Sequence, residues 1–367
     1  MSIDASHAPP PSPPSTKPTT TQKTEKPKRK KIALALQGGG THGAFTWGIL
    51  DALLADGRFE IEGLSGTSAG GMNAVALAQG YLKGGNEGAR QEMHRFWKAV
   101  ADIGLLNMNF RPFSENMPHG PVGIDPLRMF SSLMQNVLSP YQTNPFNVNI
   151  LRDLVEEFFD FELLQSAKNI KLFLCATHVN TGKLKLFTLD TLTSQKMLAS
   201  ACLPFLFHAV EVDGENYWDG GFVGNPAIYP LIYACETPDI MIIQLTVMNR
   251  KRLPITAEEV IERHKEITYN ACLMREMRTI DFVTELIEKG VINDPNMKRL
   301  NIHLLRNEEL FSSIDLSSAL NTNWQFLEYL FKEGQKSGTE WIAKNYHHVG
   351  VRHSTNLHKE FVSEVNK

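Results

Sequence analysis

The sequence predicts an α/β fold, because short apolar runs alternate along it with helical stretches. Residues 32–36 form an apolar run that leads through a glycine-rich loop into the helical stretch 44–55. Residues 59–64 form an extended run that passes directly into a helix of small residues starting at Ala69. Residues 239–245 are almost entirely apolar, which is typical of a parallel strand buried on both faces.

The glycine-rich loop fits a phosphate-binding function. Gly38, Gly40 and Gly43 match the dinucleotide pattern Gly-x-Gly-x-x-Gly, and the loop lies between a predicted strand and a predicted helix. Glu60 or Glu62 follows about 20 residues later, where such folds place a ribose-binding acid. The loop alone therefore permits a dinucleotide-binding protein.

The same loop also fits an oxyanion hole, in which backbone N–H groups of Gly38, Gly39 and Gly40 stabilise a tetrahedral intermediate. The next strand favours this second interpretation because it runs straight into Ser68. A glycine loop on one strand and a serine on the next place donors and an attacking oxygen side by side at one sheet edge.

Ser68 lies at the centre of Gly66-Thr67-Ser68-Ala69-Gly70, a Gly-x-Ser-x-Gly pattern on a strand-to-helix turn. Such a turn strains the serine backbone and exposes its hydroxyl near the positive end of the following helix. The flanking glycines are needed because a Cβ atom there would collide with the neighbouring strand or helix. The pattern predicts a nucleophile, although a plain glycine- and serine-rich turn also matches it.

Asp219 is the candidate base. Asp213-Gly214 predicts a hairpin turn, and the returning strand 216–218 delivers Asp219 just before two glycines. A solvated aspartate is a poor base for a hydroxyl, but apolar neighbours such as Trp218 and Phe222 would raise its pKa. The alternative is a solvated Asp-Gly-Gly turn without a catalytic role.

The glycine loop 38–43, the serine turn 66–70 and Asp219-Gly220-Gly221 together resemble the patatin-like phospholipase family in order and spacing. The segments 200–204 and 224–226 also resemble that family, and the resemblance spans about residues 31–250. It implies a three-layer α/β/α fold with a mainly parallel central sheet. It also implies hydrolysis of acyl lipids, with phospholipids or other acyl lipids as substrates.

The resemblance implies a serine–aspartate dyad without a histidine. Ser68 would be the nucleophile, Asp219 the base, and Gly38, Gly39 and Gly40 the oxyanion hole. The family often has arginine or lysine where this chain has His42, for which we expect a structural or weakly electrostatic role. The alternative function from another class is a lipid-binding module that keeps the fold without turnover.

Histidines could in principle complete a triad, and His178, His208 and His264 are the candidates. A single histidine in a strand is more often a packing residue, so we expect the dyad. No histidine pair or carboxylate cluster has metal-ligand spacing, and His347 and His348 are adjacent. We therefore expect no metal and no cofactor.

The chain of 367 residues predicts three regions. Residues 1–30 are rich in proline, serine, threonine and lysine, which predicts a disordered basic tail able to contact anionic membranes peripherally. Residues 31–250 would form the catalytic domain, including a Met- and Phe-rich insertion at 105–146 that suits a lid or an acyl-chain surface, and equally an ordinary satellite core. Residues 251–367 would form a mainly helical extension packed on that domain, with a mobile end after about residue 345.

The formal net charge of -3 argues against a nucleic-acid-binding protein. No signal peptide or apolar run of transmembrane length is found, and four widely spaced cysteines indicate free thiols in a reducing compartment. These observations predict a cytoplasmic protein, peripheral at membranes. They do not indicate an oligomeric state.

Overall fold

The computed structural model describes residues 29–108, 139–250, 252–295, 297–314 and 316–363. Most of the predicted basic tail and most of the predicted lid insertion lie outside these residues. Within them, eight strands form one sheet. They are β1 (Lys30–Leu36), β2 (Phe59–Gly66), β3 (Lys171–His178), β4 (Leu184–Thr188), β5 (Val210–Val212), β6 (Glu215–Asp219), β7 (Asp239–Ile243) and β8 (Asn301–Leu305).

The strand order is β5-β6-β3-β2-β1-β7-β8, with β4 also paired to β3. Strands β3, β2, β1, β7 and β8 are parallel to one another, whereas β4, β5 and β6 are antiparallel additions at the β3 end. The predicted α/β class with a mainly parallel central sheet is confirmed. Parallel strands end at the same edge of a sheet, so the loops after β1 and β2 meet there.

Helices cover both faces of the sheet. They are α1 (Gly43–Asp56), α2 (Ala69–Met108), α3 (Pro140–Thr143), α4 (Ile150–Phe158), α5 (Phe161–Gln165), α6 (Ser194–Ser200), α7 (Tyr229–Ala234), α8 (Ala257–Glu288), α9 (Glu308–Ser313) and α10 (Trp324–Asn345). Helix α2 is kinked at Gly84 and Gly85, whose backbone angles are not helical. Helices α4 and α5 are separate because Asp160 caps α5, its side chain accepting the Leu163 N–H.

The three layers follow from the alternation of side chains along β1. Ile32, Leu34 and Leu36 belong to one apolar cluster, which also contains buried residues of α1, α2 and α10. Ala33 and Ala35 belong to a second cluster on the opposite face, with residues of α7 and α8. Successive side chains of a strand point to opposite faces, so two separate cores enclose the sheet.

The C-terminal third contributes to both cores. Strand β8 extends the sheet beyond β7, α8 covers the second face, and α10 packs along α1. The prediction of a mobile end after residue 345 is wrong for the described residues, because Leu357 and Phe361 are buried in the second core. The backbone carbonyl of Phe361 also accepts a hydrogen bond from Arg278 Nε on α8 at 2.8 Å.

In the part of the chain that the structure describes, none of the helices combines the length and the apolar character required to span a bilayer.

Candidate active site

The two candidate catalytic side chains approach each other along one edge of β3. Strand β4 occupies the other edge, opposite residues 173–177. On the shared edge, β2 ends with Gly66 opposite Leu174, and β6 arrives from the other direction with Asp219 opposite Ala176. Two positions along a strand span about 7 Å, so the ends of β2 and β6 are close neighbours.

Ser68 occupies the turn between β2 and α2 with a φ angle of 54°. This left-handed conformation is unusual for a residue other than glycine and indicates local strain at a functional position. A Cβ atom at Gly66 would lie 2.7 Å from Gly70 backbone atoms, and one at Gly70 would lie 2.2 Å from the carbonyl oxygen of Leu36. The close packing predicted for these glycines is therefore present. Helix α2 starts at Ala69, which directs its positive N-terminus towards the serine.

Asp219 is buried at the end of β6, and burial raises the pKa of its carboxyl group to about 6. Two interactions lower this pKa: the Gly221 N–H donates to Asp219 Oδ1 at 2.7 Å, and the Ser68 hydroxyl lies nearby. The carboxylate also raises the pKa of Tyr269 beyond its usual range, together with the burial of that phenol. Asp219 is thus a desolvated carboxyl group whose pKa responds to the Ser68 hydroxyl, as expected of a candidate base.

A short segment after α6 holds both side chains in place. The Ser68 N–H donates to the Ser200 carbonyl oxygen at 3.1 Å and lies 3.2 Å from Ser200 Oγ. The Asp219 N–H donates to the Cys202 carbonyl oxygen at 2.8 Å. The segment therefore fixes the separation of the two backbones. The sequence marked it only through the resemblance of residues 200–204, without indicating these contacts.

The three glycines proposed for the oxyanion hole differ in their contacts. The Gly38 N–H donates to Asn225 Oδ1 at 2.7 Å, so this donor is already engaged. Among the described residues, neither the Gly39 N–H nor the Gly40 N–H has an acceptor. A Cβ atom at Gly38 would lie 2.9 Å from Ser68 Cβ, which places the loop directly beside the serine. The loop that carries the Gly39 and Gly40 N–H groups, which have no acceptor among the described residues, thus begins beside the candidate nucleophile.

Buried amide side chains hold the start of the glycine loop. Gln37 Oε1 accepts the N–H groups of Leu245 and Thr246 at 2.7 and 2.8 Å. Gln37 Nε2 donates to the Asn225 carbonyl oxygen at 3.3 Å and to Asn270 Oδ1 at 3.2 Å. Asn270 lies on α8, so the C-terminal third takes part in this network. No sequence pattern identified Asn225 or Asn270 in this role.

His42 is buried beside the loop, and burial lowers its pKa to about 4. The ring is therefore neutral near neutral pH and cannot supply the charge of an arginine or lysine. It packs against Phe311 and Phe326, with ring centroids 5.4 and 6.4 Å away. The geometry gives His42 a packing role.

The three histidines considered for a triad contact other residues or are exposed. His178 Nε2 pairs with Glu215 at 2.8 Å, His208 stacks on Tyr141, and His264 is exposed. Over the described ranges, no histidine hydrogen-bonds the carboxylate of Asp219. The same residues contain no group of three or more histidine, cysteine or carboxylate side chains suited to a metal.

Both acids considered for the dinucleotide interpretation, Glu60 and Glu62, lie within β2 and not at its carboxyl end. The Glu62 carboxylate pairs with Lys171 at 2.7 Å and accepts the N–H groups of Glu236 and Thr237. It lies within β2, whereas a ribose-binding acid belongs at the carboxyl end of that strand. That end is occupied by the turn containing Ser68.

Comparison with known proteins agrees with this architecture. The chain belongs to the patatin-like phospholipase family, whose model matches residues 34–232 and so includes Ser68 and Asp219. No curated protein sequence matches the chain. Eleven solved chains match. The crystal structure of VipD from Legionella pneumophila is 15% identical, with a TM-score of 0.35 over 84% of this chain and 67% of that chain.

Proposed function

We propose that the protein is a lipid acyl hydrolase that cleaves carboxylic ester bonds of phospholipids or other acyl lipids. The observation that carries the proposal is the buried Asp219 carboxyl group beside the Ser68 hydroxyl: burial raises the pKa of the carboxyl to about 6, and the hydroxyl lowers it. Membership of the patatin-like phospholipase family supports a lipid as the substrate. A serine–aspartate dyad is the mechanism that the contacts support best.

In the first step, Asp219 accepts the proton of Ser68 while the serine oxygen attacks the ester carbonyl carbon. A carboxylate with a pKa of about 6 is ionised at neutral pH and is a stronger base than a solvated aspartate. The Ser68 hydroxyl interacts with this carboxyl group, so the serine proton has an acceptor nearby. The carbonyl oxygen becomes an oxyanion in the tetrahedral intermediate.

The N–H groups of Gly39 and Gly40 would stabilise this oxyanion, because they lack acceptors among the described residues. The loss of one such donor costs about 3–4 kcal/mol of transition-state stabilisation in comparable sites. Gly38 would contribute only if its N–H exchanged Asn225 Oδ1 for the oxyanion. The N-terminus of α2 adds a favourable partial charge.

The intermediate collapses when its C–O bond to the leaving alcohol breaks and Asp219 donates its proton to that oxygen. The acyl chain then remains on Ser68 as an ester. Asp219 next accepts a proton from a water molecule that attacks this ester, and the second collapse returns the proton to Ser68 and releases the carboxylic acid. Atoms and protons balance over the cycle without a cofactor.

The test combines a serine-reactive fluorophosphonate label with product analysis. We expect labelling of the purified protein at Ser68 and release of fatty acid from vesicles of mixed phospholipids or from neutral glycerides. Ser68→Ala should abolish labelling and lower the rate at least about 10³-fold, because the nucleophile is lost. A matched control is Ser166→Ala, since the exposed Ser166 hydroxyl only contacts the Leu163 carbonyl.

An unlabelled wild-type protein that binds vesicles but releases no fatty acid from any of these lipids would contradict the proposal. That outcome would favour a lipid-binding module without turnover.

A further inference from the structure

A 3₁₀ turn in the C-terminal third, Leu316–Leu320, contacts the glycine loop at three consecutive residues. The Thr41 hydroxyl donates to the Ser318 carbonyl oxygen at 2.9 Å. His42 Nε2 and Ser318 Oγ are 2.7 Å apart. A Cβ atom at Gly40 would lie 2.2 Å from the Ala319 carbonyl oxygen, so the turn fills the space beside that glycine.

The loop side of these contacts is shielded from water, whereas Ser318 is half-buried. Thr41 is 6% exposed and His42 is 4% exposed, and the neutral His42 ring forms an uncharged hydrogen bond with the Ser318 hydroxyl. A buried hydrogen bond between neutral partners restricts geometry strongly, because either partner left alone would lose its solvation. The turn is therefore able to fix the orientation of the loop.

The turn is itself held firmly on both sides. Before it, α9 is capped by the side chain of Asn307 and buries Leu310 and Phe311. After it, α10 packs so closely on α1 that a Cβ atom at Gly48 would lie 2.0 Å from the Phe331 carbonyl oxygen. Because α1 directly follows the glycine loop, the turn and the loop are anchored to the same helix pair.

We propose that Ser318 is a positioning residue of the active site, which orients the Gly39 and Gly40 N–H groups through its contacts with Thr41 and His42. It contacts the loop and not the reacting atoms. The C-terminal third, which lies outside the residues matched by the family model, thereby completes the oxyanion hole. The inference rests on the proposed hydrolase function.

The first experiment compares Ser318→Ala with the wild-type full chain on the soluble ester p-nitrophenyl butyrate. We expect kcat to fall about fivefold with KM unchanged, since one orienting hydrogen bond is lost. Ser318→Thr, which keeps the hydroxyl, should restore most of kcat. Thr41→Val combined with Ser318→Ala should lower kcat further, to about one twenty-fifth, because both side-chain hydrogen bonds are removed.

The matched control is Ser313→Ala. The Ser313 hydroxyl donates to the Leu310 carbonyl oxygen at 2.7 Å, in the same region but without contact to the loop. It should leave kcat and KM unchanged. Equal thermal midpoints for Ser318→Ala and the control would show that the loss of kcat does not reflect unfolding.

A second measurement separates this inference from the proposed function. Hydrogen–deuterium exchange of the peptide covering residues 37–44 should be faster in Ser318→Ala than in the control variant. Unchanged kcat and unchanged exchange, in a protein that Ser68→Ala inactivates, would overturn the positioning role and leave the hydrolase intact. If the wild-type protein is neither labelled nor active, the proposed function fails, and the exchange result alone decides whether Ser318 orders the loop.

Discussion

The raised pKa of the Asp219 carboxyl group predicts how the proposed catalysis depends on pH. The base must be ionised to accept the Ser68 proton, so activity requires a pH above its pKa of about 6. We expect kcat/KM to rise with pH through about 6 and to reach a plateau near pH 7. Asp219→Asn should keep the fold and lose turnover over the whole range. A fully active Asn variant would instead implicate a histidine.

The same substitution has a predicted effect on stability. A carboxyl group whose pKa is about 6 when folded and about 3.9 when unfolded stabilises the fold fully only below about pH 4. That contribution is lost as the pH rises through 6, when the buried group ionises. Asparagine does not ionise, and its Oδ1 can still accept the Gly221 N–H.

Asp219→Asn should therefore be more stable than the wild type at pH 8, on the order of 2–3 kcal/mol, and nearly equal to it at pH 4. Thermal midpoints measured at the two pH values test this directly. If Asp219→Asn were less stable than the wild type by the same amount at pH 4 and pH 8, the prediction would be wrong. The carboxylate would then stabilise the fold by its hydrogen bonds, and burial would not oppose its ionisation.

Among the residues of the candidate site, the sequence predicted those that lie in a local sequence pattern. Ser68 and Asp219 were predicted because a strand-to-helix turn and a hairpin end place polar side chains at predictable positions. The contacts of Asn225 with Gly38, of Ser200 with Ser68 and of Ser318 with His42 were not predicted. They join backbone and side-chain groups far apart in the chain, and no local spacing records such pairs.

Helix α1, which directly follows the glycine loop, packs closely against α10. A Cβ atom at Gly48 would lie 2.0 Å from the Phe331 carbonyl oxygen, and one at Gly334 would lie 2.1 Å from that of Phe45. The two backbones can touch only because neither position carries a side chain. Buried side chains around this contact, such as Phe45 and Leu330, complete the packing.

Gly48→Ala should therefore destabilise the protein by about 2–3 kcal/mol, because the helices must move apart to admit the methyl group. The matched control is Gly84→Ala, where an added Cβ atom would meet open space. We expect the control to change the free energy of unfolding by less than about 0.5 kcal/mol. Urea unfolding of the two variants provides the comparison, and equal stabilities would contradict the close helix contact.

Strands and helices with a clear pattern were predicted well from the sequence. Residues 32–36 and 240–243 are apolar because both faces of the central strands are covered. The prediction of a mobile end after residue 345 was wrong because Leu357 and Phe361 lie among polar residues and form no apolar pattern. Their burial depends on the groove formed by α8 and the sheet, which no periodicity near residue 360 indicates.

At the scale of the whole molecule, the sheet extends beyond the residues that match the family model. The family model matches residues 34–232, yet β7 and β8 continue the sheet and α8 covers its second face. Asn270 on α8 and Ser318 after α9 both contact the region of the glycine loop. We therefore propose that the C-terminal third forms one folding unit with the motif-bearing part.

A chain of residues 29–250 should consequently fail to fold. Without residues beyond 250, β7 loses β8, one of its two partner strands, the second face of the sheet exposes side chains such as Ile240 and Ile242, and α1 loses α10. An uncovered parallel sheet exposes too much apolar surface to remain soluble as a monomer.

The chain of residues 29–367 is the control, and it should melt like the full-length protein because every contact described above is made by residues from 29 onwards. Size-exclusion chromatography and thermal unfolding followed by circular dichroism distinguish the two. The opposite outcome is a chain of residues 29–250 that is monomeric, melts cooperatively and reacts with fluorophosphonate. It would show that the C-terminal third is a separable addition, because the glycine loop would then be ordered without the turn that contacts it.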